Sequence, residues 1–439
     1  MTVTSMRDSM SPELQRVAER ARREPEARFH ALAHLIDVPA LKRAFRHVRR
    51  DAAKGVDGVT KGEYEAHLEE NLTDLHERLK TGRYRHQPVR RVNIPKEKGG
   101  TRPIGVSVLE DKIVQGALRE LLEVVYEQDF ADCSYGFRPK RSAHGAVRAL
   151  DRAVRRGEAN WVLEADIVSF FDSLDREKLR EMLRLRIADG SVHRLVGKCL
   201  NAGVLDGAVF TSPETGTVQG SAISPLLGNI YLHYALDRWF EADVKPRLKG
   251  AAHLIRYADD FIMCFELKED AERVYRVLPL RMGKYGLGLH PEKTRLLPFG
   301  RPPGEQGVGK GPSTFDFLGF TLHWKRTRHG RWTMAVKTRR ARLSRSIHAV
   351  SEWCRGHCHW PVPEQHKMLC LKLQGHYNYF GVNGNLRCLE TLYHRTKRAW
   401  HKWLCRRSQR ARLTWERFED LLRGFPLPSP RIVVQIWGM

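Results

Sequence analysis

Two short apolar runs, residues 253–256 and 261–265, flank the tetrapeptide Tyr257-Ala258-Asp259-Asp260. Runs this short, broken by a tight polar pair, predict a β-hairpin with two carboxylates at its tip. Because an unpaired carboxylate is costly to bury, the tip must face a surface or a cleft. A third carboxylate, Asp166, ends the run WVLEADI at 161–167, which reads as a core strand. An Asp-rich turn alone is commonplace. Three carboxylates at the ends of core strands form a rarer pattern. Asp166 and Asp259 could clamp divalent cations between adjacent strands, with Asp260 as a peripheral ligand. That arrangement suits in-line phosphoryl transfer.

Charge narrows the partner. The 439 residues hold 76 Lys+Arg against 51 Asp+Glu, a formal net charge of +25. An excess of that size is the electrostatic footprint of a protein that meets a polyanion, since each phosphate neutralised releases condensed counterions. Hydrophobic residues make up 41% of the chain, enough for a packed core. The longest weakly charged stretch, 215–236, contains Gly, Pro, Gln, Ser and Asn, so no membrane partner is expected. Eight dispersed cysteines and an N-terminus without an apolar signal segment predict reduced thiols and a cytoplasmic, bacterial setting.

Residues 12–84 are charged and helix-patterned, with the glycine-punctuated turn KGVDGVT at 54–60. Residues 90–106 alternate as a hairpin around Lys98-Gly99-Gly100, and 110–126 predict a helix with one apolar face. A Gly- and Pro-rich loop at 301–311 precedes FDFLGFTLHW at 315–324. Residues 325–345 then carry nine basic and no acidic side chains, and 341–439 hold 17 Lys+Arg against 6 Asp+Glu. In this last part Trp353, Trp360, Tyr377, Phe380, Trp400 and Trp403 alternate with basic residues. Taken singly such aromatics belong to a helical core; as a set they could stack on unpaired bases. Cys354, His357, Cys358, His359, His366 and Cys370 lack paired zinc-ligand spacing and predict a reduced, packed cluster.

In chain order, ADIVSFFDSLD (165–175), GTVQGSAISPLLGNIYLH (216–233) and YADD resemble the palm motifs of reverse transcriptases. IPKEKGGTRPIGVSVLEDKIVQ (94–115), YEQDFADCSYGFRPKRSAHGA (126–146), GLGLHPEKTRLLPFG (286–300) and LKLQGHYNYFGVNGN (371–385) are similar to one branch, the group II intron reverse transcriptase/maturases. The resemblance spans about 30–432 and implies an α+β right-hand polymerase. Its parts would be a helical N-terminal extension (1–85), fingers and palm with an antiparallel sheet (86–325), and an all-helical thumb/maturase unit (326–439). It implies an RNA-directed DNA polymerase that binds intron RNA, assists splicing and copies the RNA into cDNA. A splicing-only RNA-binding protein and a reverse transcriptase domesticated for defence or repair are the alternatives. By position, two Mg²⁺ ions, with Mn²⁺ as a substitute, fall to Asp166, the Ile167 carbonyl, Asp259 and Asp260. The dNTP falls to Lys96 and Arg102 on the triphosphate, Phe171 as the gate against a 2′-hydroxyl, Gln219 beside the nascent pair, and Lys293 as proton donor to pyrophosphate. Intron RNA falls to Lys325, Arg326, Arg328, Arg339, Arg340, Arg395, Arg398, Arg406 and Arg407, with primer or target DNA as the remaining partner. Where the family pattern has Pro and Gly, this chain has Val218 and Ser221, next to the nucleotide pocket. The chain closes soon after Pro430 without a cysteine-paired endonuclease extension, so a nick or replication fork is the expected primer source.

Overall fold

A computed structural model describes residues 10–95, 100–206, 209–211, 220–302, 313–327, 329–408 and 413–437. The chain begins with four helices, α1 (Pro12–Arg23), α2 (Val38–His47), α3 (Lys61–Glu65) and α4 (Leu68–Lys80). Their starts are fixed by side chains that satisfy orphan N–H groups: Asp37 accepts from Ala40 at 2.8 Å, and Thr60 forms a reciprocal capping box with Glu63. Next come β1 (Val89–Pro95) and β2 (Thr101–Val106), antiparallel from Arg90 opposite Val106 to Pro95 opposite Thr101. Helix α5 (Leu109–Asp129) is apolar around most of its girth, which forces it into the interior. Helices α1 and α2 pack on it. Leu14, Leu41 and Phe45 share one core with Leu118, Leu163 and Phe261, so the described part of the N-terminal segment has no core of its own.

After α6 (Ala143–Arg155) the chain enters β3 (Trp161–Asp166), then α7 (Phe170–Ser173), α8 (Arg176–Arg184) and α9 (Gly190–Leu200). Strands β4 (Val204–Asp206) and β5 (Val209–Thr211) extend the first hairpin into a sheet ordered β2-β1-β4-β5. Helix α10 (Ser224–Leu232) continues through wide π-helical turns, residues 233–237 and 239–244. Strands β6 (Ala252–Tyr257) and β7 (Asp260–Phe265), helix α11 (Lys268–Gly283) and strand β8 (Arg295–Pro298) complete an antiparallel sheet ordered β6-β7-β3-β8. The period-two alternation of these strands divides their side chains between two cores. Leu163, Ala165, Phe261 and Met263 point into the first; Val162, Ile262 and Cys264 point into the second.

The second core lies beneath a sheet of β9 (Phe315–Phe317), β10 (Phe320–Arg326) and β11 (Trp332–Thr338). Helices α12 (Arg340–Gly356), α13 (Val362–Phe380), α14 (Leu386–Leu404) and α15 (Trp415–Gly424) close it. Strand β10 runs through 326 and pairs with β11 up to Thr338, so the boundary expected after 325 falls inside a strand. The sequence reading missed β11 because its seven residues sit within a run of basic side chains that masks their alternation.

Arg256 holds these parts in register. It lies on the face of β6 that meets the first core and is fully buried. Its Nε and Nη2 donate to the two oxygens of Asp237, at 2.8 and 2.5 Å, and Nη2 also donates to Ser134 Oγ at 2.8 Å. Nη1 donates to Asn229 Oδ1 at 2.9 Å and to the carbonyl of Ala258 at 3.0 Å. A guanidinium out of water is tolerated because each of these contacts replaces hydration. Arg256→Met strands the Asp237 carboxylate, so urea unfolding is expected to show a loss of about 3–5 kcal/mol. The double variant Arg256→Met, Asp237→Leu is expected to recover part of it, since no charge is then left buried.

His233 packs edge-on to Phe130 beside this pair. Burial, then the Arg256 charge against the opposing pull of Asp237, lowers its pKa to about 4. His376, half-buried against Phe380, is likewise lowered to about 4 by desolvation. Between about pH 6.5 and about 4 the unfolded chain protonates these rings while the folded chain leaves them neutral. Their contribution is therefore complete above the upper limit and declines as pH falls through the window, by up to about 3 kcal/mol for His233. Chemical denaturation across that window should show this slope, and His233→Gln should make it shallower.

Candidate active site

Strand register sets the site. Asp166, last in β3, lies opposite Asp260, first in β7, and Tyr257 pairs with Asp260 across the β6–β7 hairpin. The turn is therefore two residues, Ala258 and Asp259, with Ala258 at φ +57°. Because Ala165 and Phe261 face the first core, Asp166, Asp260 and Glu164 share the opposite face. Asp260 faces Asp166 across the β3–β7 pair and Asp259 occupies the adjoining turn, so the three carboxylates expected at the site meet at one end of the sheet. All three line one open cleft of about 850 Å³, together with Ile167, Arg102, Phe171 and Lys293.

Burial, reinforced by neighbouring negative charge, raises two of the three carboxylates. Asp259 is shifted upward by burial and then by the Asp166 charge, against the fields of Arg102 and Arg256. Asp260 is exposed through the cleft mouth, yet the surrounding protein, then Asp259 and Asp166, push it up to about 7. A hydrogen bond from the Leu318 backbone works in the other direction. Lys293, just ahead of β8, forms an ion pair with Asp166. Among the described residues no three carboxylate, imidazole or thiol groups form a ready-made cation cage. The donor set nevertheless fits a hard divalent cation: it is all oxygen, and the charges of Asp166 and Asp259 add to the burial that raises Asp260.

Around this centre, Arg295 pairs with Glu164, whose other oxygen accepts the Asp316 N–H at 3.1 Å. Asp316 in turn pairs with Arg339 at 2.9 Å. Arg339 therefore lies in the cleft wall, away from the outer face of the helical unit. Arg102 projects from β2 into the cleft, and Phe171 follows the buried Phe170 on α7. Lys96, Gln219 and Arg328 lie outside the described residues.

The segment after Gln219 is anchored in a way the sequence did not reveal. A Cβ on Gly220, at φ +103°, would meet Ile104 Cγ2 at 2.5 Å and the Gly105 carbonyl at 2.7 Å, so only glycine can lie against β2 there. Ser221 Oγ donates to Gln115 Oε1 at 3.0 Å, and the same oxygen accepts the Ala222 N–H at 3.0 Å. Gln115 Nε2 meets His86 Nε2 at 2.9 Å, and His86 Nδ1 faces Asp111 at 3.2 Å. The serine that departs from the family pattern is thus one end of a buried polar chain.

The expected RNA contacts divide. Lys325, Arg340, Arg395 and Arg398 are exposed; Arg326 lies over Trp332 at 5.0 Å and Arg406 over Trp403 at 5.4 Å. Arg407 instead donates to the carbonyls of Cys358, at 2.6 Å, and Trp360, which ties α14 to the α12–α13 connection. Trp400 and Tyr377 are fully buried, and Trp400 donates to Gln365 at 2.9 Å, so they are core residues.

Comparison with known proteins agrees with this geometry. Residues 94–322 match the family described as "Reverse transcriptase (RNA-dependent DNA polymerase)". Protein YkfC of Escherichia coli K12 is 34% identical over 361 residues, covering 72% of this chain and 90% of that protein. The group II intron-encoded protein LtrA of Lactococcus lactis subsp. cremoris is 37% identical over 197 residues, 45% of this chain and 32% of LtrA. An uncharacterized 91 kDa protein in a cob intron of Schizosaccharomyces pombe is 41% identical over 163 residues, 37% of this chain and 20% of that protein. The chain thus spans most of YkfC but a third or less of the two intron proteins. A cleft with three carboxylates on paired palm strands, inside a matched segment that covers more than half the chain, makes this protein a member of the reverse transcriptase family, the RNA-dependent DNA polymerases.

Proposed function

We propose that the chain copies group II intron RNA into cDNA from a DNA primer and, as a maturase, binds that RNA and assists its splicing. The observation that carries the reading is the register pairing of Asp166 with Asp260, with Asp259 in the adjoining turn. Likeness to an intron-encoded protein supports the intron as template. Asp166, Asp259, Asp260 and the Ile167 carbonyl would hold two Mg²⁺ ions, for which Mn²⁺ could substitute. Bound there, such ions supply Lewis-acid stabilisation of the attacking and leaving oxygens. Arg102, with Lys96, offsets charge on the incoming triphosphate. Phe171 supplies bulk on the α7 side of the cleft, against a ribonucleotide 2′-hydroxyl. The Lys293 ammonium is the proton source nearest the carboxylates and would serve the departing pyrophosphate. Lys325, Arg326, Arg340, Arg395, Arg398 and Arg406 present charge to RNA phosphates.

Primer extension on an RNA template with dNTPs tests the reading. Asp259→Ala is expected to lower the rate about 100- to 1000-fold, and an unchanged rate would sink the mechanism. Asp259→Ala combined with Asp260→Ala should leave splicing of the bound intron intact; loss of splicing in a folded variant would refute the separation of the two roles.

Ser221→Gly removes one buried hydrogen bond, so a stability loss of about 1 kcal/mol is expected. A raised KM for dNTP at nearly constant kcat should accompany it, because the segment after Gln219 keeps only the Ala222 N–H of its two ties to Gln115.

A further inference from the structure

Phe137 is anomalous on two counts. The residue is 55% exposed although it sits in an otherwise well-packed segment, and its backbone is left-handed at φ +55°, a conformation costly for a bulky residue. Three residues on, Lys140 is also left-handed, at φ +61°. Such strain persists only where the surroundings over-determine it, and here they do. The neighbouring Arg138 is buried, donates to the carbonyls of Ala131 at 2.7 Å and Ser134 at 3.0 Å, pairs with Glu127 at 2.9 Å, and lies 5.2 Å from the Phe130 ring. On the other side, Gly136 is pressed onto the carboxylate hairpin: a Cβ there would meet the Ala258 nitrogen at 2.3 Å. Asn229 Nδ2 donates to the Gly136 carbonyl at 2.7 Å, and Arg256 in turn holds Asn229.

The effect of this clamp is to hold an aromatic ring in solvent beside the active hairpin. The Phe137 centroid lies 6.3 Å from that of Tyr257, the residue immediately before the Ala258-Asp259 turn, with the planes tilted by 42°. The two rings do not stack on each other, so Phe137 keeps a face open. An exposed aromatic face rigidly held next to carboxylates that handle a nucleotide has one natural ligand in a basic protein, the π-face of a nucleobase. The geometry points to Phe137 as a stacking platform for a base of the primer–template strand seated at the Asp259-Asp260 hairpin. This rests on the polymerase reading above.

The test uses the full chain and a preannealed DNA primer on an RNA template, with 2-aminopurine placed at single positions along either strand. In the wild-type protein one position should change fluorescence on binding. Phe137→Ala and Phe137→Leu should abolish that change and raise the primer–template Kd ~10-fold, whereas Phe137→Tyr and Phe137→Trp should keep both within about twofold. Equal melting temperatures across the series exclude a folding effect. Full affinity and an unchanged 2-aminopurine signal in Phe137→Leu would overturn the platform, because an apolar filler would then suffice. If the wild-type protein extends primers and Phe137→Ala binds as tightly as wild type, the platform fails and the polymerase reading stands. A wild-type protein that binds no primer–template overturns both.

Discussion

The paired charges of Arg256 and Asp237 sit where a core strand and a core helix would ordinarily place apolar side chains. Two bare ions in a low-dielectric interior are unfavourable unless nearly every donor and acceptor is matched. Here the guanidinium reaches Asn229 and Asp237 of the α10 helix and its π-helical continuation, Ser134 of the preceding loop and Ala258 of the hairpin turn, three separate stretches of chain. The backbone of Arg256 adds two more ties, accepting from Tyr135 and donating to Cys133, each at 2.8 Å. The ion pair thus converts an energetic liability into geometric specification. The carboxylate hairpin, the 133–138 loop and the π-helical turn after α10 have one mutual arrangement that satisfies it. Asp237 is the last residue of the first π-helical turn, and from there its carboxylate reaches Arg256 of β6.

The charge distribution has a similar division of labour. A net charge of +25 draws polyanions to the surface at long range. The cleft opposes them at short range, because Asp166, Asp259 and Asp260 repel phosphate and one another, as the elevated pKa of Asp260 registers. Lys293 on Asp166 and the nearby field of Arg102 moderate that repulsion from opposite walls. Long-range attraction and short-range repulsion therefore oppose each other at the reaction centre, and divalent cations bound there would reconcile phosphate with carboxylate.

How much of this was legible follows from how local each signal is. The hairpin, the strand before Asp166 and the helix at α5 were readable because each is written in a contiguous period of two or near 3.6. The identity of the three carboxylates was readable for the same reason. Their pairing was not: whether Asp259 or Asp260 faces Asp166 depends on a two-residue turn and a strand register that no single segment encodes. Arg256, two residues before the turn, looked like one more basic residue in a basic chain, and only Asp237 and Asn229, distant in sequence, give it meaning. Ser221 looked like a departure from a pattern until Gln115 appeared across from it. Arg407 illustrates the converse: positive charge in sequence does not reveal whether a guanidinium faces solvent or an internal carbonyl.

The helical unit that carries the basic surface is not an independent appendage to the cleft. Strands β9 and β10 turn through Leu318 and Gly319, both left-handed, at φ +51° and +79°. The Leu318 carbonyl accepts from Tyr379 Oη of α13 at 2.9 Å, while its N–H reaches Asp260. Tyr379 is fixed in turn by ring stacking on Phe320 at 5.8 Å, and its carbonyl meets His144 Nε2 at 2.7 Å. One strained residue thus spans the distance between a helix of the basic unit and a carboxylate of the reaction centre. The second core, which Ile262 of β7 shares with Phe320 of β10 and Tyr377 of α13, packs beneath this link and joins the same parts by apolar contact.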